Sequence, residues 1–324
     1  MTRPSPQEPE ILAFIGEVES LSPADAVDAP MAQQRQWYDA LCRAFDAPLP
    51  EGIAPRDETT ARSDGQVPLR RYHPAAGAGE AMIVYFHGGG FVFGGLDSHH
   101  TVCAEIAAAA GAELLAVDYR LAPEHRFPLA LLDCLAAVMA QAPRPVVVAG
   151  DSAGASLAAG VALVLRDAAR GRPAATALLE ACGSQAGATP PPVLGQALIY
   201  PLLGGDLATG SYSEMAEAPG LTTGKLRYYR AAIGAPEGDP YGHPLTADQL
   251  GGLAPAYITS AFFDPLRDDG RHYAARLAAA GVAVTYREEP QMIHAWLRAR
   301  HRSPGAASAF AALCRGIRGL LDAV

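Results

Sequence analysis

Short apolar runs alternate with longer helix-like stretches along most of this 324-residue chain. The strand-like runs are Val67–Tyr72, Ala81–Phe86, Glu113–Val117, Pro145–Ala149, Gln196–Tyr200, Ala256–Thr259 and Val282–Tyr286. The helix-like stretches among them are Ser98–Ala110, Pro128–Ala140, Ala153–Arg170, Pro265–Ala280 and Pro304–Leu321. This alternation is typical of a largely parallel sheet covered by helices on both faces, so the sequence predicts an α/β fold.

Several stretches fall outside the alternation. Pro9–Ser20 and Ala32–Phe45 read as helices near the N-terminus, and Leu203–Leu253 carries a helix-like Lys225–Ile233 among loops. Pro173–Pro192 is rich in Ala, Gly and Pro and reads as an irregular excursion. The predicted division is a cap made of residues 1–50 and 203–253 and an α/β core made of residues 51–202 and 254–324.

Composition excludes several functional classes. The formal net charge is −9 and no run of Lys or Arg occurs, which argues against nucleic acid as a partner. No segment approaches ~18 uninterrupted apolar residues, so no membrane span is expected. The five cysteines are widely spaced without a CxxC pair, which predicts idle thiols rather than a metal or redox site. With no apolar signal region behind the start, we expect a cytoplasmic protein.

The pentapeptide Gly150-Asp151-Ser152-Ala153-Gly154 follows the apolar run Val146–Ala149 and precedes a long helical pattern. This strand–turn–helix context is the one that a nucleophile elbow requires, with a strained serine whose hydroxyl is exposed. The flanking glycines avoid Cβ clashes where strand and helix approach closely. We predict Ser152 as a nucleophile, which needs a base because a hydroxyl alone is weak. The alternative is that Asp151 or Ser152 only caps the helix.

A glycine-rich loop, His87-Gly88-Gly89-Gly90-Phe91, comes directly after the strand-like Met82–Phe86. A loop without side chains at this place can aim backbone N–H groups at a developing oxyanion. It can also be only a tight connection, and it lacks the sequence features of a phosphate-binding loop. The predicted oxyanion-hole donors are two of the three glycines and the residue after the nucleophile: Gly88, Gly89, Gly90 and Ala153.

An acidic partner is expected after the nucleophile in chain order and before the histidine. Asp264 follows the strand-like Ala256–Thr259, and we predict it as this acid. Because Asp before Pro at a helix start is also an ordinary N-cap, a purely structural role remains open. Asp268 and Asp269 are rival acids, but both would lie inside the following helix, away from the strand end.

His294 is the predicted general base. It follows the strand-like Val282–Tyr286 and a loop, at a strand's carboxyl end, where open α/β sheets gather their sites. The other eight histidines come too early in the chain or fall in a loop of the cap, a helix or a pre-helical loop: His73, His87, His99, His100, His125, His243, His272 and His301.

Together these residues resemble the bacterial hormone-sensitive-lipase-like esterases, also called family IV carboxylesterases, from about residue 65 to the end. The resemblance implies an α/β-hydrolase fold with a helical cap, and hydrolysis of short-chain acyl esters without a cofactor or metal. It also implies a small-molecule ester as partner and, by analogy, a homodimer. The motifs that carry it are His87-Gly88-Gly89-Gly90-Phe91, Asp118-Tyr119-Arg120-Leu121-Ala122-Pro123-Glu124, the elbow, Ile199-Tyr200-Pro201, Asp264-Pro265-Leu266-Arg267-Asp268 and His294.

The chain departs from the family pattern at two places. Ala155-Ser156 stands where the family usually has Gly-Asn after the elbow, and Ala295-Trp296 stands where it has Gly-Phe after the histidine. We expect Trp296 to add bulk beside the base and to narrow the substrate pocket. Several aromatic residues are candidates to line a pocket for acetyl to hexanoyl chains, although each can equally belong to the core: Trp37, Tyr38, Phe91, Phe93 and Trp296.

Two other classes of function stay open. One is a different hydrolase that uses the same three side chains, such as an amidase, a lactonase or a sugar deacetylase, since fold and catalytic set do not decide the leaving group. The other is a non-catalytic receptor for a small molecule, because some relatives with this fold serve as receptors. A receptor would tolerate loss of the histidine, whereas Ser152, Asp264 and His294 are all present here.

Overall fold

The computed structural model describes residues 5–21, 28–75, 77–185 and 187–322. Its sheet has eight strands in the order β1-β2-β4-β3-β5-β6-β7-β8. Neighbours from β4 to β8 pair in parallel, whereas β2 is antiparallel to both β1 and β4. The predicted, mostly parallel sheet is confirmed. The strands are β1 (Ile53–Arg62), β2 (Gly65–Pro74), β3 (Met82–Phe86), β4 (Glu113–Val117), β5 (Val146–Asp151), β6 (Val193–Ile199), β7 (Ala256–Phe263) and β8 (Val284–Ile293).

Helices cover both faces of the sheet because the central strands are apolar on both sides. In β3, Val84 and Phe86 join the core under α4, α5 and α9, while Ile83 and Tyr85 join the core under α3 and α10. The helices are α1 (Pro9–Leu21), α2 (Met31–Ala44), α3 (His100–Ala110), α4 (Leu129–Met139), α5 (Ala153–Ala169), α6 (Pro173–Ala181), α7 (Ser211–Glu214), α8 (Thr223–Ile233), α9 (Arg267–Ala279) and α10 (Pro304–Leu321).

Two parts of the chain differ from the prediction. The first half of Pro173–Pro192 is helical, as α6, with Pro173 in its first turn and Ala175 buried, so an irregular excursion was the wrong interpretation. The strand β1 had no prediction because most of its residues are exposed and polar, which removes the apolar alternation. It forms nonetheless, because its main chain pairs with β2 from Ile53 opposite Pro74 to Arg62 opposite Gly65.

The five cysteines are buried free thiols, as their spacing predicted. Of the helices in the described part of the chain, none combines the length and the apolar character that crossing a membrane requires.

The N-terminal helices are tied to the core near the glycine-rich loop. Arg35 of α2 donates to the carbonyl oxygens of Val92 and Ala122 and forms an ion pair with Glu124, whose closest N–O distance is 2.7 Å. In α1, the ring of Phe14 meets that of Phe45 edge to face, with centroids 4.8 Å apart. These contacts hold α1 and α2 beside the end of β3.

A buried carboxylate links α4 to the antiparallel side of the sheet. Asp133 is fully buried and accepts hydrogen bonds from the backbone and guanidinium of Arg120, at 2.8 to 3.1 Å. Arg62 at the end of β1 lies 3.3 Å from the same carboxylate. Removing one member of such a group leaves uncompensated charge in the interior.

We therefore expect Asp133→Ala to lower the free energy of unfolding by about 3 kcal/mol or more. The control is Asp57→Ala, which removes an exposed partner of Arg70 and should cost less than about 1 kcal/mol. Urea unfolding followed by circular dichroism measures both. Equal losses for the two variants would contradict the structural role of Asp133.

Candidate active site

The turn between β5 and α5 holds Ser152 in a strained conformation. Its φ is 54° and its ψ is −117°, outside the regions that non-glycine residues favour. The N–H of Ser152 donates to the carbonyl of Ile199 on β6, at 2.9 Å, and the Ser152 side chain makes no capping bond to α5. A Cβ on Gly154 would overlap the carbonyl oxygen of Phe86, so only glycine lets α5 start this close to β3. The elbow geometry is present, and helix capping does not account for Ser152.

Three side chains that are distant in sequence form a hydrogen-bonded chain. Ser152 Oγ lies 2.9 Å from Nε2 of His294, and Nδ1 of His294 lies 2.7 Å from Oδ2 of Asp264. All three residues are buried or nearly so. With an ionised Asp264 as acceptor, Nδ1 carries the proton, which leaves Nε2 to accept from the serine hydroxyl. The structure thus brings together the three residues that the sequence selected.

Asp264 also has the structural role that its position before Pro265 suggested. Its second oxygen, Oδ1, accepts a hydrogen bond of 2.9 Å from the backbone of Leu266, just before α9. The two roles use different oxygens and are compatible. Its rivals lie inside α9 and are engaged elsewhere: Asp268 pairs with Arg267 and Arg271.

The other rival, Asp269, anchors the start of the 203–253 segment. Its carboxylate accepts hydrogen bonds from the N–H of Leu203, at 2.6 Å, and from the hydroxyl of Tyr212, at 2.9 Å. Burial raises the pKa of Asp269 to about 6, although these donors act in the opposite direction. Asp269 therefore holds the segment in place and does not contact His294.

The backbone N–H groups of the glycine-rich loop differ in whether they have a hydrogen-bond acceptor. The N–H of Gly88 donates to Oδ1 of Asp151, at 2.8 Å, so this amide is not free to face a substrate. The N–H groups of Gly89, Gly90 and Ala153 find no acceptor within the described ranges. Gly89 has a φ of +127°, which only glycine adopts without strain. The set of candidate oxyanion-hole donors is thereby reduced to Gly89, Gly90 and Ala153, and Gly88 is corrected to a structural role.

Asp151 is a functional residue whose role the sequence analysis missed. Its buried carboxylate receives the Tyr85 hydroxyl at 2.8 Å and the Tyr200 hydroxyl at 3.3 Å, and it lies 3.2 Å from Nε2 of His99. Burial opposes ionisation, but His99 and Tyr85 hold the pKa of Asp151 well below its usual value. The available signal is an acid directly before the candidate nucleophile in the sequence.

A mostly apolar cavity of about 220 Å³ opens onto Ser152 and His294. Its walls come from the glycine-rich loop, from α1 and α2, and from the segment that includes α8. The residues that give it its apolar character include Phe14, Trp37, Tyr38, Phe93, Leu221 and Tyr229. An apolar cavity with a few convergent polar groups is the usual form of a small-molecule site.

Three of the five aromatic candidates line this cavity, and two do not. Trp37, Tyr38 and Phe93 form part of its wall, whereas Phe91 faces a separate, smaller cavity. Trp296 is fully buried with its ring edge against Tyr200, at a centroid distance of 6.0 Å. The expectation that Trp296 narrows the substrate pocket is therefore wrong, since its side chain turns into the core.

Ala295, at the other position where the chain departs from the family, adopts a φ of 61° directly after His294. This left-handed conformation favours glycine, which the family usually has at that place. The alanine therefore carries backbone strain beside the histidine.

The site's reactive groups are a hydroxyl, an imidazole, a carboxylate and backbone amides. Together they suit nucleophilic acyl transfer, in which a base activates the hydroxyl and the amides stabilise an oxyanion. Within the described ranges, no three His, Cys, Asp or Glu side chains are grouped so as to hold a metal ion.

Known proteins with similar sequences are hydrolases. A family model described as alpha/beta hydrolase fold matches residues 83–298. Carboxylic ester hydrolase LipN of Mycobacterium tuberculosis is 34% identical over 313 residues, which cover 92% of this chain and 79% of LipN. Ethyl acetate hydrolase of Pseudomonas putida is 33% identical, over 90% of this chain and 92% of its own.

Solved structures give the same result. The crystal structure of a thermostable esterase from Pseudomonas putida superimposes with a TM-score of 0.85 at 26% identity, covering 99% of both chains. An ester hydrolase from the Lake Arreo metagenome has a TM-score of 0.83 at 29% identity, covering 97% of this chain and 98% of its own. The chain therefore belongs to the alpha/beta hydrolase fold family and, within it, to the bacterial hormone-sensitive-lipase-like carboxylesterases.

Proposed function

We propose that this carboxylic ester hydrolase cleaves short-chain acyl esters through an acyl-enzyme intermediate on Ser152. The observation that carries the proposal is the distance of 2.9 Å between Ser152 Oγ and His294 Nε2, inside an apolar cavity. A non-catalytic receptor would have no need of a serine held in a strained turn within hydrogen-bond reach of a base.

In the proposed mechanism, Nε2 of His294 takes the proton of the Ser152 hydroxyl as Oγ attacks the ester carbonyl. Asp264 holds the imidazole in the required tautomer and stabilises the positive charge that develops. The N–H groups of Gly89, Gly90 and Ala153 stabilise the oxyanion. His294 then protonates the leaving alcohol, and it next deprotonates a water molecule that attacks the carbonyl carbon of the acyl-enzyme. When the bond from the acyl carbon to Oγ breaks, His294 returns this proton to Oγ, which releases the acid and restores the Ser152 hydroxyl.

Residues 1–50 and 203–253 act in this proposal as a cap that limits the substrate. Support comes from the cavity wall, to which α1, α2 and the segment around α8 contribute alongside Ser152. A cavity of about 220 Å³ lined by such elements suits short acyl chains better than long ones.

The cellular context is also part of the proposal. Five free thiols without a disulfide fit a reducing compartment such as the cytoplasm. A homodimer stays a prediction by analogy, with β8 at the parallel edge of the sheet as the strand available for pairing.

The first test concerns the nucleophile. Ser152→Ala should fold normally and lose hydrolysis of 4-nitrophenyl acetate by a factor of about 10⁴ or more, because no other group replaces the attacking oxygen. A fluorophosphonate probe should add its mass to the wild-type protein and not to this variant. Ser213→Ala, at an exposed serine, is the matched control and should label normally. Full labelling of Ser152→Ala would refute the assignment.

The second test separates the two roles of Asp264. Asp264→Asn keeps one side-chain oxygen that can accept from the Leu266 N–H. Its other terminal group is an NH2, which cannot accept the hydrogen bond from Nδ1 of His294. We expect kcat to fall by on the order of 10³-fold or more, with little change in the temperature of unfolding. Asp268→Asn, at the rival acid, should reduce kcat by less than about threefold. Similar kcat values for both variants would leave Asp264 with only its structural role.

The third test concerns acyl length. We expect kcat/KM for 4-nitrophenyl esters to be highest between acetyl and roughly hexanoyl and to decrease for longer chains, since the volume of the cavity is only about 220 Å³. A series from acetate to dodecanoate measures this. A maximum at dodecanoate would show that the cap does not limit the chain.

A further inference from the structure

Arg298 places a positive charge in the wall of the catalytic cavity. It lies one turn after His294, in the 3₁₀ helix Trp296–Ala299, and its side chain is half-buried. One terminal nitrogen, Nη2, donates to the hydroxyl of Tyr38 at 2.7 Å and contacts Sγ of Cys42 at 3.4 Å. The guanidinium carbon lies 5.1 Å from the centroid of the Tyr38 ring.

These partners do not neutralise the guanidinium. Burial raises the pKa of both Tyr38 and Cys42, so each is uncharged at neutral pH. No carboxylate of the described residues lies within ion-pair distance of Arg298. Asp151 acts on it only from further away, and the oxygens of Asp151 are already engaged by Tyr85, Gly88 and other buried donors.

The cavity holds a second cation. Lys225 of α8 is half-buried, and the one hydrogen bond of its ammonium group in the described part of the chain goes to the carbonyl of Gly220, at 3.5 Å. Burial lowers the pKa of this amine, as expected where no carboxylate offsets the loss of water. Glu19, a carboxylate of the same wall, is exposed on α1 and forms no ion pair with either cation within the described ranges.

An unpaired cation in an apolar wall is costly unless something else supplies the opposite charge. Nε and Nη1 of Arg298 have no acceptor among the described residues, so N–H groups on two sides of the guanidinium remain unused. An N–H of a charged guanidinium forms a stronger hydrogen bond with a carboxylate oxygen than with a neutral acceptor. No carboxylate of the described chain accepts these N–H groups, whereas a ligand in the cavity that Arg298 and Ser152 both line can do so.

We propose that the esters this enzyme prefers carry a free carboxylate, which binds to Arg298 while the ester carbonyl faces Ser152. The inference rests on the proposed esterase function and names the substrate class of that site. The carboxylate can belong to the acyl part or to the alcohol part of the ester, since Arg298 recognises the same group in both. Lys225, which also lines the cavity, adds positive potential.

Calorimetric binding to Ser152→Ala protein tests the site without turnover. Phenylacetate should bind at least about tenfold more tightly than phenylacetamide, its neutral counterpart of nearly equal size. The double variant S152A/R298Q should lose this preference, and S152A/R298K should keep part of it. The control S152A/R43Q removes an exposed arginine of α2 and should keep all of it.

Equal affinities for the two ligands in Ser152→Ala protein would overturn the proposal, and so would a preference that survives R298Q. If R298Q fails to fold, the comparison of the two ligands and the R298K variant still decide the question.

Kinetics then separate the two parts of the ester. The 4-nitrophenyl monoester of glutarate is compared with that of glutaramate for the acyl part, and acetoxyacetate with acetoxyacetamide for the alcohol part. At least one charged ester should have a kcat/KM about tenfold or more above its neutral counterpart, with the ratio lost in R298Q.

Hydrolysis of neutral esters without any such preference would refute the carboxylate site and leave the esterase function standing. No hydrolysis of any ester would refute the esterase function, and calorimetry would still judge the site.

Discussion

The buried carboxylate of Asp151 joins the two loops on which the rest of the site depends. It receives the amide of Gly88 from the loop after β3 and the hydroxyl of Tyr85 from within β3. It also lies within 3.3 Å of Tyr200, which follows β6, and of His99, which precedes α3. Because Asp151 directly precedes Ser152, its hydrogen bond from Gly88 connects the loop of the candidate oxyanion hole to the turn that holds Ser152. Close approach of α5 to β3 at Gly154 completes the same constraint.

Parallel pairing explains why distant residues converge. The strands β3, β5, β6, β7 and β8 are consecutive neighbours, so their carboxyl ends lie along one edge of the sheet. Ser152 and His294 are 142 positions apart in sequence, yet their side chains meet at 2.9 Å. Polar contacts hold the segments that line the cavity to the core. One of them is the hydrogen bond from the N–H of Leu203 to the carboxylate of Asp269 on α9. The sheet thus positions the chemistry, and the added helices shape the space above it.

Much of the fold and of the candidate site was predictable from local patterns. Apolar runs bounded by turns predicted the inner strands. Asp264 and His294 were selected because they come after Ser152 in the expected order and each follows a predicted strand. The edge strand β1 was not predicted because most of its side chains are exposed. Main-chain pairing with β2 stabilises it, and such pairing produces no apolar pattern in the sequence. The pocket aromatics were predicted less well: Trp296 lies two residues after His294, beyond the left-handed Ala295, and its side chain is buried in the core.

Residue types and their order along the chain were enough to predict the fold class and the family, and to select Ser152, Asp264 and His294 as candidate site residues. Which amides of the glycine-rich loop lack an acceptor depends on the tertiary structure, since the Asp151 carboxylate accepts the N–H of Gly88. The position of Arg298 in the cavity wall, without a carboxylate partner in the described chain, also follows only from the tertiary structure. Hydrogen bonds and charges act over distances in space, and those distances exist only once the strands have paired.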